Sequence, residues 1–561
     1  MRPGHAFLLI FLICILTVSL IAVPILQQVE PAPDLSALVA RAQTAFRTGR
    51  FADALDIYNK ALAQDPKCAD AYAGLVRLFI KQNDINQADD IARKGVSANP
   101  SAPVLQTALG ELQFRKGHIP ESERQFVNVI NSGASDARAY LGLARIRQIT
   151  SMYRQEKELI DRAHSLDPAD PDIQKYWMRT LKRAERIKYL ESYLNGESND
   201  DANDRSHMQQ YLQLLKDREQ SPRHSCRLAN PVETSEAELR PLMYDASRVR
   251  GFGLMVGFNG HDARLLLDTG ASGLMVKKSI AQKANIQPVV RTTVGGIGDK
   301  RDMGVYLGYA DSIRIGQLEF KDCLVTVSDH TTSGSEDGLI GSDVFSRYLV
   351  GIDFQHMKLK LRPLPRRPDE TEPQTASLDT SGDSDKSSSA SDDAEDSPKT
   401  KADSKQTKTD SGPHDRYIAP EMQKYTKVFR FDHLLLIPTR VGEGTPKLFA
   451  IDSGSSINAI SPEAAREVTK VYSDSSISVK GMKGSVNQVF TADKAVLQFA
   501  RFRQENQDLT AWDFSGLNKD IGTEVSGFLG FPTLRLFELD IDYRDGLVDF
   551  VFDDNAFKQG K

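Results

Sequence analysis

Cysteine is scarce: four residues in 561, none in a CxxC pair or at metal-ligand spacing from a histidine. That removes a zinc-type site from consideration, and no other metal or cofactor is implied. Cys14 falls in an apolar N-terminal run, which leaves Cys68, Cys226 and Cys323. An odd number excludes a disulfide framework and leaves room for one bridge. Excess charge of either sign is also missing, since the net charge is -5. Nothing in that balance points to nucleic acid as a partner. Between Pro368 and Arg416 large apolar side chains are absent except Leu378. Such a stretch buries too little surface to offset its chain entropy and reads as a disordered tether over 363–420.

The N-terminus has the opposite character. Residues 6–26 carry no charged side chain and are mostly Leu, Ile, Val and Phe. The run is about 21 residues, long enough to cross a bilayer at 1.5 Å per residue and longer than the usual apolar stretch of a cleaved signal. Residues 1–30 are therefore expected to be a membrane anchor, with a cleaved signal peptide as the alternative. Either way the bulk of the chain is expected outside the cytoplasm, whether periplasmic, secreted or lumenal.

Over 35–220 the sequence repeats with a period of about 34 residues. Gly49, Asn83 and Gly117 share one phase, and Tyr58, Ala92, Phe126 and Ile160 share another. Pro66, Pro100 and Pro168 mark repeat ends, with Ala134 at the missing position. Each unit reads as two amphipathic helices joined by a short turn. This pattern resembles the tetratricopeptide repeat, which implies four stacked units plus capping helices and a concave surface suited to a protein partner.

Two β-textured regions follow, at 233–362 and 425–555, and they look like copies. Each has a strand, a turn and a strand that ends in aspartate: ARLLLDTGASGLMV around Asp268 and KLFAIDSGSSINAI around Asp452. A helix-like stretch comes next, Lys277 to Asn285 in one copy and Pro462 to Lys470 in the other. Then comes a glycine-rich hairpin, with Gly295, Gly296, Ile297 and Gly298 in the first copy and Gly481 and Met482 in the second. Later still, paired apolar residues sit between glycines, as Gly338-Leu339-Ile340-Gly341 and Gly527-Phe528-Leu529-Gly530. A lone Asp-Thr-Gly is most often only a turn, so the matching order of four landmarks carries the argument.

That order resembles the aspartic proteases of the retropepsin and pepsin type. The first lobe is nearer the retroviral kind and the second nearer the bilobed kind. The resemblance implies a multidomain chain, an α-helical tetratricopeptide solenoid followed by two mostly-β retropepsin-like lobes. It also implies an aspartic endopeptidase that uses Asp268 and Asp452 on a protein or peptide substrate. Two carboxylates about 3 Å apart cannot both ionise, so they share a proton and divide the acid and base roles. Gly270 and Gly454 would make the tight turns after each aspartate, and the hydroxyls of Thr269 and Ser453 would tie the two loops together. The hairpins at Gly295–Gly298 and Gly481-Met482 would close over the substrate as flaps. The serines Ser272, Ser455 and Ser456 have no histidine partner evident in sequence, so a serine triad is a poor reading. A noncatalytic peptide clamp or scaffold remains the alternative.

Overall fold

The structure is a computed structural model and describes residues 34–196, 202–220, 226–230, 232–293, 304–328, 336–368, 413–474, 476–481, 484–486 and 488–552. The apolar run 6–26 lies outside the described residues. Among the described residues no helix is long and apolar enough to cross a membrane.

Helices pair at the 34-residue period: α1 (Leu35–Arg47) with α2 (Phe51–Gln64), α3 (Ala69–Lys81) with α4 (Ile85–Ala98), α5 (Pro103–Arg115) with α6 (Ile119–Asn131), and α7 (Ala137–Ile149) with α8 (Tyr153–Leu166). Three more follow: α9 (Pro171–Met178), α10 (Arg183–Asn195) and α11 (Ala202–Gln220). The repeated phases have physical causes. Gly49, Asn83 and Gly117 sit in the turns between paired helices with φ of 72°, 62° and 75°, the left-handed conformation that glycine and asparagine tolerate best. The fourth repeat puts Ser151 there with φ 57°. Tyr58, Ala92, Phe126 and Ile160 are all buried. The Phe126 ring fills the space a side chain on Gly110 or Gly142 would need, so small and large positions interlock between neighbouring helices. Arg138 donates to Asp170 at 2.7 Å and to Asp172 at 3.1 Å, and Arg47 of the first repeat pairs with Asp167 of the fourth. The array is thus tied across its repeats by its own ion pairs.

The β region is two lobes joined by a shared sheet. In the first, Val249–Phe258 and His261–Asp268 form the expected hairpin, and Asn259 and Gly260 turn it with φ of 48° and 85°. In the second, Leu434–Val441 and Pro446–Asp452 repeat the arrangement. The helix-like stretches are shorter than expected, at Lys278–Lys283 and Pro462–Arg466. The C-terminal strand of each copy's shared motif meets the other across the lobes. Val350 to Asp353 run antiparallel to Ile541 to Glu538, so the lobes share backbone hydrogen bonds within one chain. Each lobe has its strand interior packed with Leu, Ile, Val and Phe in a single continuous core.

Three features go beyond the sequence reading. Cys226 and Cys323 form a disulfide that ties the lead-in segment to strand Leu318–Ser328, while Cys68 is free and buried among the repeats. The expected tether 363–420 is ordered at both ends: Arg367 pairs with Asp545 at 2.8 Å, and Tyr417 donates its backbone N–H to the same carboxylate at 2.9 Å. Its middle, 369–412, lies outside the described residues. Finally, the repeats pack against the second lobe. Ile119, Phe126 and Ile146 belong to one apolar cluster with Leu434, Leu448 and Phe528. Thr523 donates to the Phe114 carbonyl at 2.6 Å.

Candidate active site

Each aspartate ends a strand whose preceding residues, Leu265–Leu267 and Leu448–Ile451, are buried, and the strand's partner explains why it stops there. Leu265 to Asp268 run parallel to Gly338 to Gly341, and Phe449 to Asp452 run parallel to Gly527 to Gly530. Gly341 packs on the Ala271 carbonyl, and Gly530 on that of Ile457, where a Cβ would have no room. These Gly-flanked strands therefore brace the turns that follow the aspartates. Side chains finish the bracing differently in the two lobes. Gly273 donates its N–H to Asp343 at 3.0 Å, whereas Gly530 donates to Asn458 at 2.9 Å.

The two loops are locked to each other by four hydrogen bonds. The Thr269 N–H donates to the Ser453 Oγ at 3.0 Å, and the Ser453 N–H donates to the Thr269 Oγ1 at 2.9 Å. The hydroxyls in turn donate to carbonyls of the opposite lobe, Thr269 to Ile451 at 2.8 Å and Ser453 to Leu267 at 3.0 Å. Both residues are almost fully buried, so each bond forms in a low-dielectric setting where leaving it unmade is expensive.

This lock brings the carboxylates together. A Cβ placed on Gly270 would lie 2.7 Å from the Asp452 Cγ, and one on Gly454 would collide with the Asp268 carboxyl. Each glycine is thus an empty seat filled by the opposite lobe's carboxylate. Burial pushes the Asp268 pKa well above the carboxylate range, and the charge of Asp452 adds to it. Burial also raises Asp452, offset in part by the Asp268 carboxyl and by the N–H groups it accepts from Ser455 at 2.9 Å and Gly454 at 3.0 Å. Asp268 accepts the Gly270 N–H at 2.8 Å. Both carboxyls are pushed up, so the pair holds a proton between them and titrates as a unit.

The glycine-rich hairpins are unequal. Strands Pro288–Thr293 and Gly304–Ile315 pair up to Thr293 and Gly304, while Gly295, Gly296, Ile297 and Gly298 lie outside the described residues. In the second lobe Gly481 pairs with Gly484 in a hairpin with two-residue strands, and Met482 lies outside the described residues. Sequence reasoning missed Asp343 and Asn458, whose partners are backbone groups remote in sequence. Among the described residues no cluster of His, Cys, Asp or Glu suits a metal ion.

Comparison with known proteins fits these two architectures. Residues 254–347 match the family described as gag-polyprotein putative aspartyl protease, and residues 45–112 match the tetratricopeptide repeat. No curated protein matches the chain in sequence. Among solved structures, the aspartic proteinase from Irpex lacteus is 10% identical, with a TM-score of 0.31 over 58% of this chain and 100% of that one. Pseudomonas aeruginosa pilF is 17% identical, with a TM-score of 0.24 over 34% of this chain and 87% of its own. A thermophilic tetratricopeptide protein from Thermus thermophilus is 13% identical, with a TM-score of 0.26 over 33% of this chain and 99% of its own. The chain carries helical tetratricopeptide repeats followed by an aspartyl protease-like region.

Proposed function

We propose that the chain is an aspartic endopeptidase whose two lobes form one catalytic dyad. The observation that carries this reading is the mutual seating of the carboxylates, Asp452 against Gly270 and Asp268 against Gly454. The ionised member of the pair takes a proton from a water between the carboxyls, and that water attacks the scissile carbonyl. The protonated member hands its proton to the carbonyl oxygen as the tetrahedral intermediate forms. Proton return then expels the amine and resets the pair. The long hairpin of the first lobe is the better candidate for covering an extended peptide, since the second lobe's hairpin is short.

The repeats serve as a docking array for a protein partner or substrate. The catalytic region works outside the cytoplasm, tethered through residues 6–26. The Cys226–Cys323 bridge supports that placement, because such bonds persist in oxidising compartments.

Asp268→Asn and Asp452→Asn replace the acid or the base by an amide of the same shape. Each is expected to abolish cleavage of unfolded casein across roughly pH 3–7, the range a carboxylate pair explores, while leaving the thermal transition in place. Retention of a tenth or more of wild-type turnover in either variant would overturn the single-dyad reading.

A further inference from the structure

The residue that follows each brace strand reaches into the other lobe. Ser342 comes directly after Gly338–Gly341, and Phe531 directly after Gly527–Gly530. Phe354 lies 12 residues beyond Ser342, and Tyr543 lies 12 beyond Phe531. Each of these directly follows one of the strands that join the lobes, Tyr348–Asp353 and Phe537–Asp542. The contacts cross. The Ser342 hydroxyl hydrogen-bonds the Tyr543 hydroxyl of the second lobe. The Phe531 ring stands edge-on to Phe354 of the first lobe, 5.9 Å between centroids, and Phe252 closes the same cup at 5.5 Å. All four members of the two crossings are buried.

The crossings hold equivalent places in the two copies, yet their chemistry is opposite. One sets a hydroxyl against a hydroxyl, and the other sets a ring against rings. A first lobe facing a second copy of itself would bring Ser342 to Phe354, with no acceptor or donor for the serine. A second lobe facing its own copy would bring Phe531 to Tyr543, and the phenol hydroxyl would meet an apolar ring. Burying a hydroxyl without a partner costs more than a made hydrogen bond contributes. Only a first lobe with a second lobe satisfies both crossings. Each crossing also adjoins an aspartate loop. The Phe531 N–H donates to the Ser455 carbonyl at 2.8 Å, and the Ser455 N–H donates to Asp452 at 2.9 Å. Gly341, just before Ser342, donates to the Gly273 carbonyl at 2.8 Å, in the turn after Asp268.

We propose that the two crossings are the recognition surface by which the first lobe takes the second lobe, and not a second copy of itself, as its partner. Unlike lobes then bring Asp268 to Asp452. The proposal rests on the dyad reading above for its effect on turnover, but not for its effect on stability.

The test uses the full chain, with thermal unfolding and peptide turnover measured on each variant. Tyr543→Phe recreates within the chain the serine-to-phenylalanine crossing that two first lobes would bury. Phe354→Tyr recreates the phenylalanine-to-tyrosine crossing that two second lobes would bury. Each substitution changes a single oxygen atom. Each is expected to lower the melting temperature by about 2 °C or more and kcat by about five-fold. Ser342→Ala combined with Tyr543→Phe removes both hydroxyls of the polar crossing, and should return to within about 1 °C and about two-fold of wild type. Wild-type melting and turnover in either single variant would mean that the crossings do not discriminate, and the proposal is overturned. A double variant as impaired as Tyr543→Phe alone overturns it too. Failure of the dyad reading shows separately, as no cleavage by wild type or as cleavage surviving in Asp268→Asn. In that case the melting temperatures alone decide the crossings.

Discussion

At the scale of single residues, the two glycines after the aspartates do something that turn geometry alone does not demand. Neither Gly270 nor Gly454 has the positive φ that would reserve the position for glycine. What excludes a larger residue is the opposite carboxylate, with the Asp452 Cγ only 2.7 Å from where a Gly270 Cβ would sit. The expectation from sequence is a conformational role, and the structure replaces it with a steric one. Gly270→Ala should therefore fold and yet separate the carboxylates. A displacement near 1 Å at reacting groups costs about a hundred-fold in rate, and we expect a loss of that order in kcat. Steady-state turnover alongside a thermal melt checks it. Wild-type turnover with an unshifted melt would show that the loop yields without harm.

Among the elements, helix α8 shows where pattern reading stops. Its buried residues Tyr153, Glu156, Ile160 and Ala163 form one stripe at helical spacing. Periodicity locates Ile160, but a charged residue in the same stripe breaks the pattern and escapes it. Glu156 accepts from the Tyr176 hydroxyl at 3.2 Å, and its other oxygen has no hydrogen-bond partner. Burial pushes its pKa up to about 8. A raised carboxyl pKa favours the folded state fully at pH values below about 4.5, and that contribution is lost as pH rises through about 8. Glu156→Gln removes the titration. It should match wild type near pH 4 and exceed it near pH 8 by on the order of 2 kcal/mol, discounted from the full shift for relaxation. Thermal unfolding of both proteins across that window decides the matter, and a constant difference would count against the assignment. The 34-residue period, by contrast, is legible because backbone conformation enforces it: the left-handed turn after each first helix recurs even where the fourth repeat supplies Ser151.

For the whole molecule, the two lobes and the repeats can be read in sequence because local order repeats within each. How they join cannot, since every joining contact pairs residues far apart in the chain. Phe114 meets Thr523, Asp415 accepts the Arg154 N–H at 3.1 Å, and Arg367 meets Asp545. On composition alone the polar stretch reads as a spacer, and composition says nothing about where its ends lie. They lie together. Pro365 accepts from Arg544 at 2.8 Å, Arg367 pairs with Asp545, and Arg416 donates to the Asp545 carbonyl at 2.6 Å. The chain thus leaves and re-enters at one turn of the second lobe, and the lobes are held by strand pairing from Val350 to Asp353 whatever lies between. The segment spans no gap. Replacing 372–410 by about eight Gly/Ser residues, enough to close so short a distance, should leave the melting temperature within a few degrees and kcat/KM within about two-fold. Separation of the lobes, or loss of turnover, would show that the length of the segment is needed to seat one aspartate against the other. Retained activity would place the assembly of the dyad wholly in the sheet between the lobes and the clamp at Asp545.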